Sequence, residues 1–347
     1  MKSFIVTLNG YGQLLKENFR GKRLFDYAGK ANFAGITEKG RWGYIRLGQT
    51  LEKAYFSLFQ KEGDFPGEAF IRSLNYNVFT GEVKTFFLAG FMTHAEGLVV
   101  ETEPAFSDKE LCGLLDFASG ERSRFEFAVD KGEAVAGFKK DLPLAGLPFP
   151  CSMGGRDFSE YLCRGKEFTL ISDMIEKTSS TLAEHPINRV RADLSEPVGN
   201  LLWLWGMGKS KEVPSFGERI GRETFYLGVS GNLRGLPELC GFKVIGDVSG
   251  GGEDSLLWVN NSLDFNESRS IWLKRFEAFD RDILGAIRQR CAGEEYRIIF
   301  IFDAFTGKNA FLNNEWGVYC AVTEEAPPFR LKKRIRQGRG FIEEFSK

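Results

Sequence analysis

Histidine is nearly missing from this chain: only His94 and His185 occur in 347 residues. A site that needs three or more imidazoles therefore cannot be assembled from it. Net charge is nearly missing too, since 46 Lys and Arg face 47 Asp and Glu. That balance removes the bulk attraction on which a nucleic-acid coat or an anionic membrane surface depends. No apolar run reaches the roughly 18 residues of a membrane span. The six cysteines, Cys112, Cys151, Cys163, Cys240, Cys291 and Cys320, form no C-x-x-C pair. A chain of this length needs no disulfide staples, so they read as buried free thiols. The opening Met1 to Leu8 has no cationic region followed by a long apolar stretch, so no secretion signal is read and the cytoplasm is the expected compartment. Neither nucleic acid nor membrane is expected as a partner.

What is present is apolar content sufficient for a large interior: 43% hydrophobic residues and 33 Phe. Short apolar runs bounded by Gly, Asn or Asp occur at Phe4 to Leu8, Ser255 to Val259 and Arg297 to Phe302. Between the last two, Ile271, Phe276, Phe279, Ile283 and Ile287 recur at near-helical spacing over Ser270 to Gln289. Strand, helix, strand is the order of a mostly parallel sheet with helices on its faces. Ligands in such sheets bind beyond the carboxyl ends of the strands. That directs attention to Asn9-Gly10, to Asn260 through Ser268, and to Asp303-Ala304.

The middle of the chain reads differently. Val83 to Leu88, Gly97 to Glu101, Arg124 to Val129 and Ala134 to Phe138 are strand-like, with one helical stretch at Asp108 to Ala118. The expected organisation is an α/β core of residues 1–74 and 167–347 carrying an inserted α+β lid of residues 75–166. Pro143, Pro148 and Pro150 with Gly154-Gly155 read as a linker. The helical pattern of Phe168 to Leu182 is expected to return the chain to the core.

Several local signals carry little chemistry. Trp205-Gly206-Met207-Gly208-Lys209-Ser210 has Trp203 where a phosphate loop needs its first glycine. Ser249 to Gly252 reads as a flexible turn. Six cations within Arg330 to Arg339 read as a solvated face.

More specific is His185-Pro186-Ile187-Asn188-Arg189-Val190-Arg191, followed by Asn200 to Lys209 and Pro214-Ser215-Phe216. These segments resemble the archaeal-type cofactor-independent phosphoglycerate mutases of the alkaline phosphatase superfamily. The likeness extends over nearly the whole chain, from the opening strand and turn at Ile5 to Gly10 to Arg297 through Val322. It implies an alkaline-phosphatase-like sheet with helices on both faces, an inserted lid, and an isomerase of glycolysis. It also implies a pair of divalent ions, usually manganese or zinc, that polarise a phosphoryl group and ionise a serine.

Carried over residue by residue, most of the ligand set is replaced. Asn9 stands for the first Asp and Gln49 for the nucleophilic Ser. Asp264 and Ser268 stand for an Asp-x-x-x-His pair, Asp303 and Ala304 for an Asp-His pair, and Asn313 or Asn314 for the last His. A glutamine amide is not deprotonated near neutral pH and forms no phosphoryl ester. Losing three imidazoles and one carboxylate removes the donors that borderline dications prefer. Two fallbacks remain in the residues themselves: Thr50 as a displaced nucleophile, and Asp264 with Asp303 holding one hard ion through waters.

Asn188, Arg191, Lys209 and Arg234 are the residues the resemblance implies for contact with a phosphorylated acid; the competing reading is that their segments only shape a turn and a hinge. The expectation is a pseudoenzyme without resident metal that binds a protein partner, a second copy of itself or a phosphorylated small molecule. The alternative is an active mutase or metal-dependent phosphohydrolase with displaced ligands and a manganese or zinc pair.

Overall fold

The structure is a computed structural model. It describes residues 2–9, 11, 18–19, 22–23, 28–37, 41–46, 51–60, 62–120, 125–144, 147–230, 233–252, 254–262, 267–293, 296–302 and 315–322. In chain order the strands are β1 (Lys2–Asn9), β2 (Asn18–Phe19), β3 (Lys22–Arg23), β4 (Arg41–Arg46), β5 (Thr85–Ala95), β6 (Leu98–Glu101), β7 (Phe125–Asp130), β8 (Glu133–Phe138), β9 (Leu201–Lys209), β10 (Glu223–Gly228), β11 (Lys243–Val244), β12 (Ser255–Ser262), β13 (Tyr296–Phe302) and β14 (Glu315–Val322). They divide between two compact units, residues 1–65 with 212–347 and residues 66–211.

The first unit is built on a seven-stranded sheet of order β11-β10-β12-β1-β13-β14-β4. β11, β10, β12, β1 and β13 are mutually parallel; β14 runs antiparallel to β13 and to β4. Alternation along each central strand separates two apolar faces. On one, Phe4, Val6 and Leu8 join Leu257, Val259, Ile298 and Phe300 in a cluster with Phe33, Phe276 and Phe279. On the other, Trp258 is fully buried against Tyr55 and Phe59 of the helix Leu51–Phe59, at ring separations of 5.7 and 4.6 Å. Helices thus cover both faces, and the α/β class expected from the sequence is the one observed.

The expected helix over Ser270 to Gln289 is present but not uniform. Arg269–Phe279 continues through a π-helical turn, Asp280–Leu284, into Gly285–Arg290. The wider turn presents Asp280, only 4% exposed, so that its carboxylate accepts the backbone N–H groups of Asn32 (3.1 Å) and Phe33 (2.6 Å) at the start of the helix Ala31–Thr37. Ile271, counted in the apolar stripe, is exposed, and Trp272 takes the buried position beside it.

The second unit contains an antiparallel sheet of order β6-β5-β8-β7, with β9 also pairing with β5. Phe87, Ala136, Phe138, Ile171, Ile175 and Trp203 share its interior. Residues 66–74 and 167–211, placed with the core by the sequence reading, lie in this unit. The cause is β9, which carries the chain back along β5, and the helix Thr169–Thr181, whose Ile171 and Ile175 pack into the same interior. The proline-rich stretch is not a bare linker either. Leu142 and Leu147 are buried on it, and the Pro148 carbonyl accepts the Trp203 indole N–H at 2.9 Å. Not all thiols are buried: Cys112 and Cys151 are exposed and Cys163 is intermediate, whereas Cys240 and Cys291 are buried.

Near the start of this unit the Pro66 carbonyl accepts the Lys209 N–H at 2.9 Å, and Gly67 adopts φ 98° against the end of β9. A Cβ on Gly67 would fall 2.3 Å from Met207 O and 2.4 Å from Gly208 Cα. An L side chain there meets both a disfavoured φ and backbone that cannot swing aside. Gly67→Ala is expected to lower stability by about 3 kcal/mol, read as a reduced urea midpoint. An unchanged midpoint would show that the close approach is not maintained in solution.

Candidate functional site

Because β1, β10 and β12 are parallel, their carboxyl ends share one edge of the sheet, and the register sets Asn9 beside Ser262 and Thr7 beside Asn260. The edge is a continuous hydrogen-bonded run. The Trp258 indole N–H donates to Thr7 Oγ1 (2.9 Å), and the Thr7 hydroxyl donates to Asn260 Oδ1 (2.8 Å). Asn260 Nδ2 donates to the Ser230 carbonyl (3.2 Å), and the Asn260 carbonyl accepts the Val229 N–H (2.8 Å). Ser230 Oγ accepts the Ser262 N–H (2.7 Å) and lies within donating distance of Asn261 Oδ1 (2.7 Å) and Ser262 O (2.6 Å). On the opposite face of β12, Asn261 Nδ2 donates to the Tyr11 hydroxyl (2.8 Å).

Every member of this run is neutral near pH 7. Burial pushes the Tyr11 phenol well above its ordinary range, which the Asn261 hydrogen bond only partly offsets, so it stays protonated. Asn9, at the end of β1, is half-buried. Of the other positions carried over by resemblance, Ser268 is the exposed N-cap residue of the helix Arg269–Phe279, its hydroxyl 3.0 Å from Ser270 Oγ. Gln49, Thr50, Asp264, Asp303, Ala304, Asn313 and Asn314 lie outside the described residues.

A pair of borderline dications needs carboxylate and imidazole donors, and the strand ends described here offer amides and hydroxyls. Among the described residues no three His, Cys, Asp or Glu side chains gather as a metal-binding group. Both histidines belong to the second unit, so the unit that carries the parallel sheet has none. The donors at these strand ends do not fit the dication pair.

Within the second unit each histidine has a local task. His185 caps the helix Pro186–Asp193, its Nδ1 accepting the Ile187 N–H at 3.3 Å, and burial holds its imidazolium pKa below the usual range. His94 Nε2 donates to the Ser179 carbonyl at 3.0 Å, and the ring meets Phe158 edge-on.

The residues expected to contact a phosphorylated acid each have partners within their own unit, Asn188 and Arg191 buried and Lys209 and Arg234 nearer the surface. Asn188, 1% exposed, donates to the Leu182 and Gly199 carbonyls (2.7 and 3.0 Å) and accepts the Gly199 N–H (2.8 Å). Arg191 donates to the carbonyls of Pro197 (2.8 Å) and Ala105 (2.9 Å), pairs with Glu110 (2.9 Å), and lies over the Phe106 ring. Lys209 pairs with Asp141. Arg234, in the first unit, forms an exposed i,i+4 pair with Glu238 at 2.8 Å.

Thr7, Tyr11 and Ser230 were not singled out by the sequence reading, although Asn260 to Ser262 fell in a stretch it marked. The usable signal was alternation: counting by two along β1 and β12 places Thr7 on the face of Trp258.

No family model matches the chain. It is 24% identical over 277 residues to the 2,3-bisphosphoglycerate-independent phosphoglycerate mutase of Methanothrix thermoacetophila, a match covering 72% of this chain and 66% of that protein. It is 23% identical over 232 residues to the corresponding mutase of Thermococcus kodakarensis, covering 61% and 56%. In both cases the match spans under two thirds of the relative. Among solved structures, the cofactor-independent phosphoglycerate mutase of Thermoplasma acidophilum superposes with a TM-score of 0.51 at 16% identity over 94% of this chain and 90% of that one. A Pyrococcus horikoshii protein superposes with a TM-score of 0.60 at 17% identity, covering 99% and 92%. The architecture is therefore the alkaline-phosphatase-like α/β fold. Within it, the sequence is similar to the archaeal cofactor-independent phosphoglycerate mutases.

Two expected outcomes follow from this geometry. Thr7→Val keeps the shape but leaves the buried Trp258 N–H without an acceptor, at a cost of about 2 kcal/mol in urea unfolding; a neutral result would show that the indole finds another partner. Glu110 is the second case. Desolvation raises its pKa, but hydrogen bonds from Ser107 and Arg191 outweigh that and set it below the usual carboxylate range. A depressed folded pKa contributes stability above the ordinary glutamate pKa and loses it as pH falls through the lowered value. Glu110→Gln should therefore flatten the acid limb of the stability profile and leave its slope above pH ~6 unchanged.

Proposed function

We propose that this chain is a non-catalytic relative of the cofactor-independent phosphoglycerate mutases, a cytoplasmic pseudoenzyme that acts by binding. The observation that carries the reading is the neutral edge at the ends of β1, β10 and β12, in a unit without a single histidine. Phosphoryl transfer through an activated hydroxyl needs either a lowered pKa at the nucleophile or a base or metal beside it. Amides and hydroxyls that already satisfy one another supply neither. Gln49 in place of a serine supports the same reading from the sequence.

Contacts within the fold weigh against a phosphorylated acid at these residues, and a protein partner is the ligand class proposed. Asn188, Arg191, Lys209 and Arg234 each direct their polar groups to neighbours within their own unit. A phosphorylated acid would have to break the buried contacts of Asn188 and Arg191.

The test is a coupled assay interconverting 3- and 2-phosphoglycerate with added manganese or zinc. Turnover is expected to stay at background. A rate of about 1 s⁻¹ or more, within the ordinary range for enzymes, would establish the mutase activity and end this reading.

A further inference from the structure

We infer that the strand-end run is a neutral lock that ties β1, β12 and the segment after β10 together, so that the parallel sheet keeps its edge without a divalent cation. What holds the edge is independent of whether the chain turns over any substrate.

Three features carry it. First, the run crosses from strand to strand: Thr7 on β1 joins Asn260 on β12, Asn260 joins Ser230 beyond β10, and Ser230 returns to Asn261 and Ser262. Second, it engages both faces of the sheet. Asn260 meets Thr7 on the Trp258 side, while Asn261 reaches Tyr11, whose ring packs on Phe276 at 5.5 Å on the other side. Third, its polar atoms are complementary. The Asn260 carbonyl oxygen of the amide takes the Thr7 hydroxyl and its nitrogen serves Ser230; the Asn261 amide oxygen faces the Ser230 hydroxyl and its nitrogen serves Tyr11.

Asn260 and Asn261 are 0% and 4% exposed. Buried amides in these positions would be strongly unfavourable if unsatisfied, and satisfied they rigidify the edge. A cation at such an edge neutralises converging carboxylates; here the members of the run carry no charge to neutralise. Ser230 is the hinge of the arrangement, since its hydroxyl oxygen receives the Ser262 N–H while its hydroxyl hydrogen is shared between Asn261 and Ser262, and its carbonyl receives Asn260.

The experiment uses the full chain. Its thermal midpoint is measured in EDTA and then with millimolar manganese or zinc, and hydrogen exchange is followed at the Ser262 amide and the Trp258 indole. The midpoint should move by no more than about 1 °C, whereas a dication at about a hundredfold over its dissociation constant would raise it by several degrees. In EDTA both N–H groups should be as protected as the β12 ladder amides. Ser230→Ala should lower the midpoint by about 3–8 °C and speed Ser262 exchange about tenfold or more. A midpoint rise of about 5 °C or more with either metal would overturn the lock, as would Ser262 and Trp258 protection that appears only after metal is added. Unchanged Ser262 exchange in a folded Ser230→Ala would do the same. If that variant does not fold, the metal titration and wild-type exchange still decide. Turnover in the coupled assay with an unmoved midpoint would remove the proposed function and leave the lock intact.

Discussion

An indole N–H with no exposed surface must find an acceptor, and Trp258 finds one in Thr7 Oγ1 at 2.9 Å. That hydrogen bond joins two otherwise separate requirements. The indole ring sits among Tyr55, Phe59, Tyr226 and Phe242 and is the centre of the apolar face beneath it. The Thr7 hydroxyl, held by the indole, turns its own proton to Asn260 and begins the polar run at the strand ends. Core packing on one side and the chemistry of the edge on the other thus meet in one threonine.

The same economy of polar contacts runs through the second unit. Asn188 bridges the Leu182 carbonyl and the Gly199 backbone, so that the chain turning between the helix Pro186–Asp193 and β9 keeps its orientation. Arg191 gathers Ala105, Glu110 and Pro197 through one planar guanidinium, whose forked donors reach three directions at once. His185, the residue that opens this family-like segment, works as a helix cap followed by a proline at the first helical position. In a segment whose residue types invite a ligand reading, His185, Asn188 and Arg191 hold backbone.

The elements that depend on local pattern were legible. The apolar runs at β1, β12 and β13 and the helical stripe between the last two correspond to real elements, because burial on one or both faces imposes a period that survives in the sequence. What could not be read is instructive. The π-helical turn at Asp280 answers to the start of a helix about 250 residues earlier, a long-range need that leaves no trace in local periodicity. The membership of Thr169–Thr181 and β9 in the second unit depends on strand pairing with β5, and pairing partners are not written into either strand alone. At the candidate site, the identity of the residues at Asn260 and Asn261 was plain, but their mutual satisfaction was not. It requires Ser230 and Tyr11, which stand 31 and 250 positions from the Asn261 they contact.

By itself the sequence determined composition-bound facts: two histidines, near-zero net charge, an α/β order of elements, and amides at the ends of the first apolar runs. These follow from residue type and spacing, which no folding can alter. Only the tertiary structure decided that the amides of Asn260 and Asn261 close on neighbouring hydroxyls, and that Asn188 and Arg191 face inward to backbone. A polar side chain can serve a ligand or the fold, and the choice rests on which acceptors and donors come within about 3 Å of it once distant strands are brought side by side.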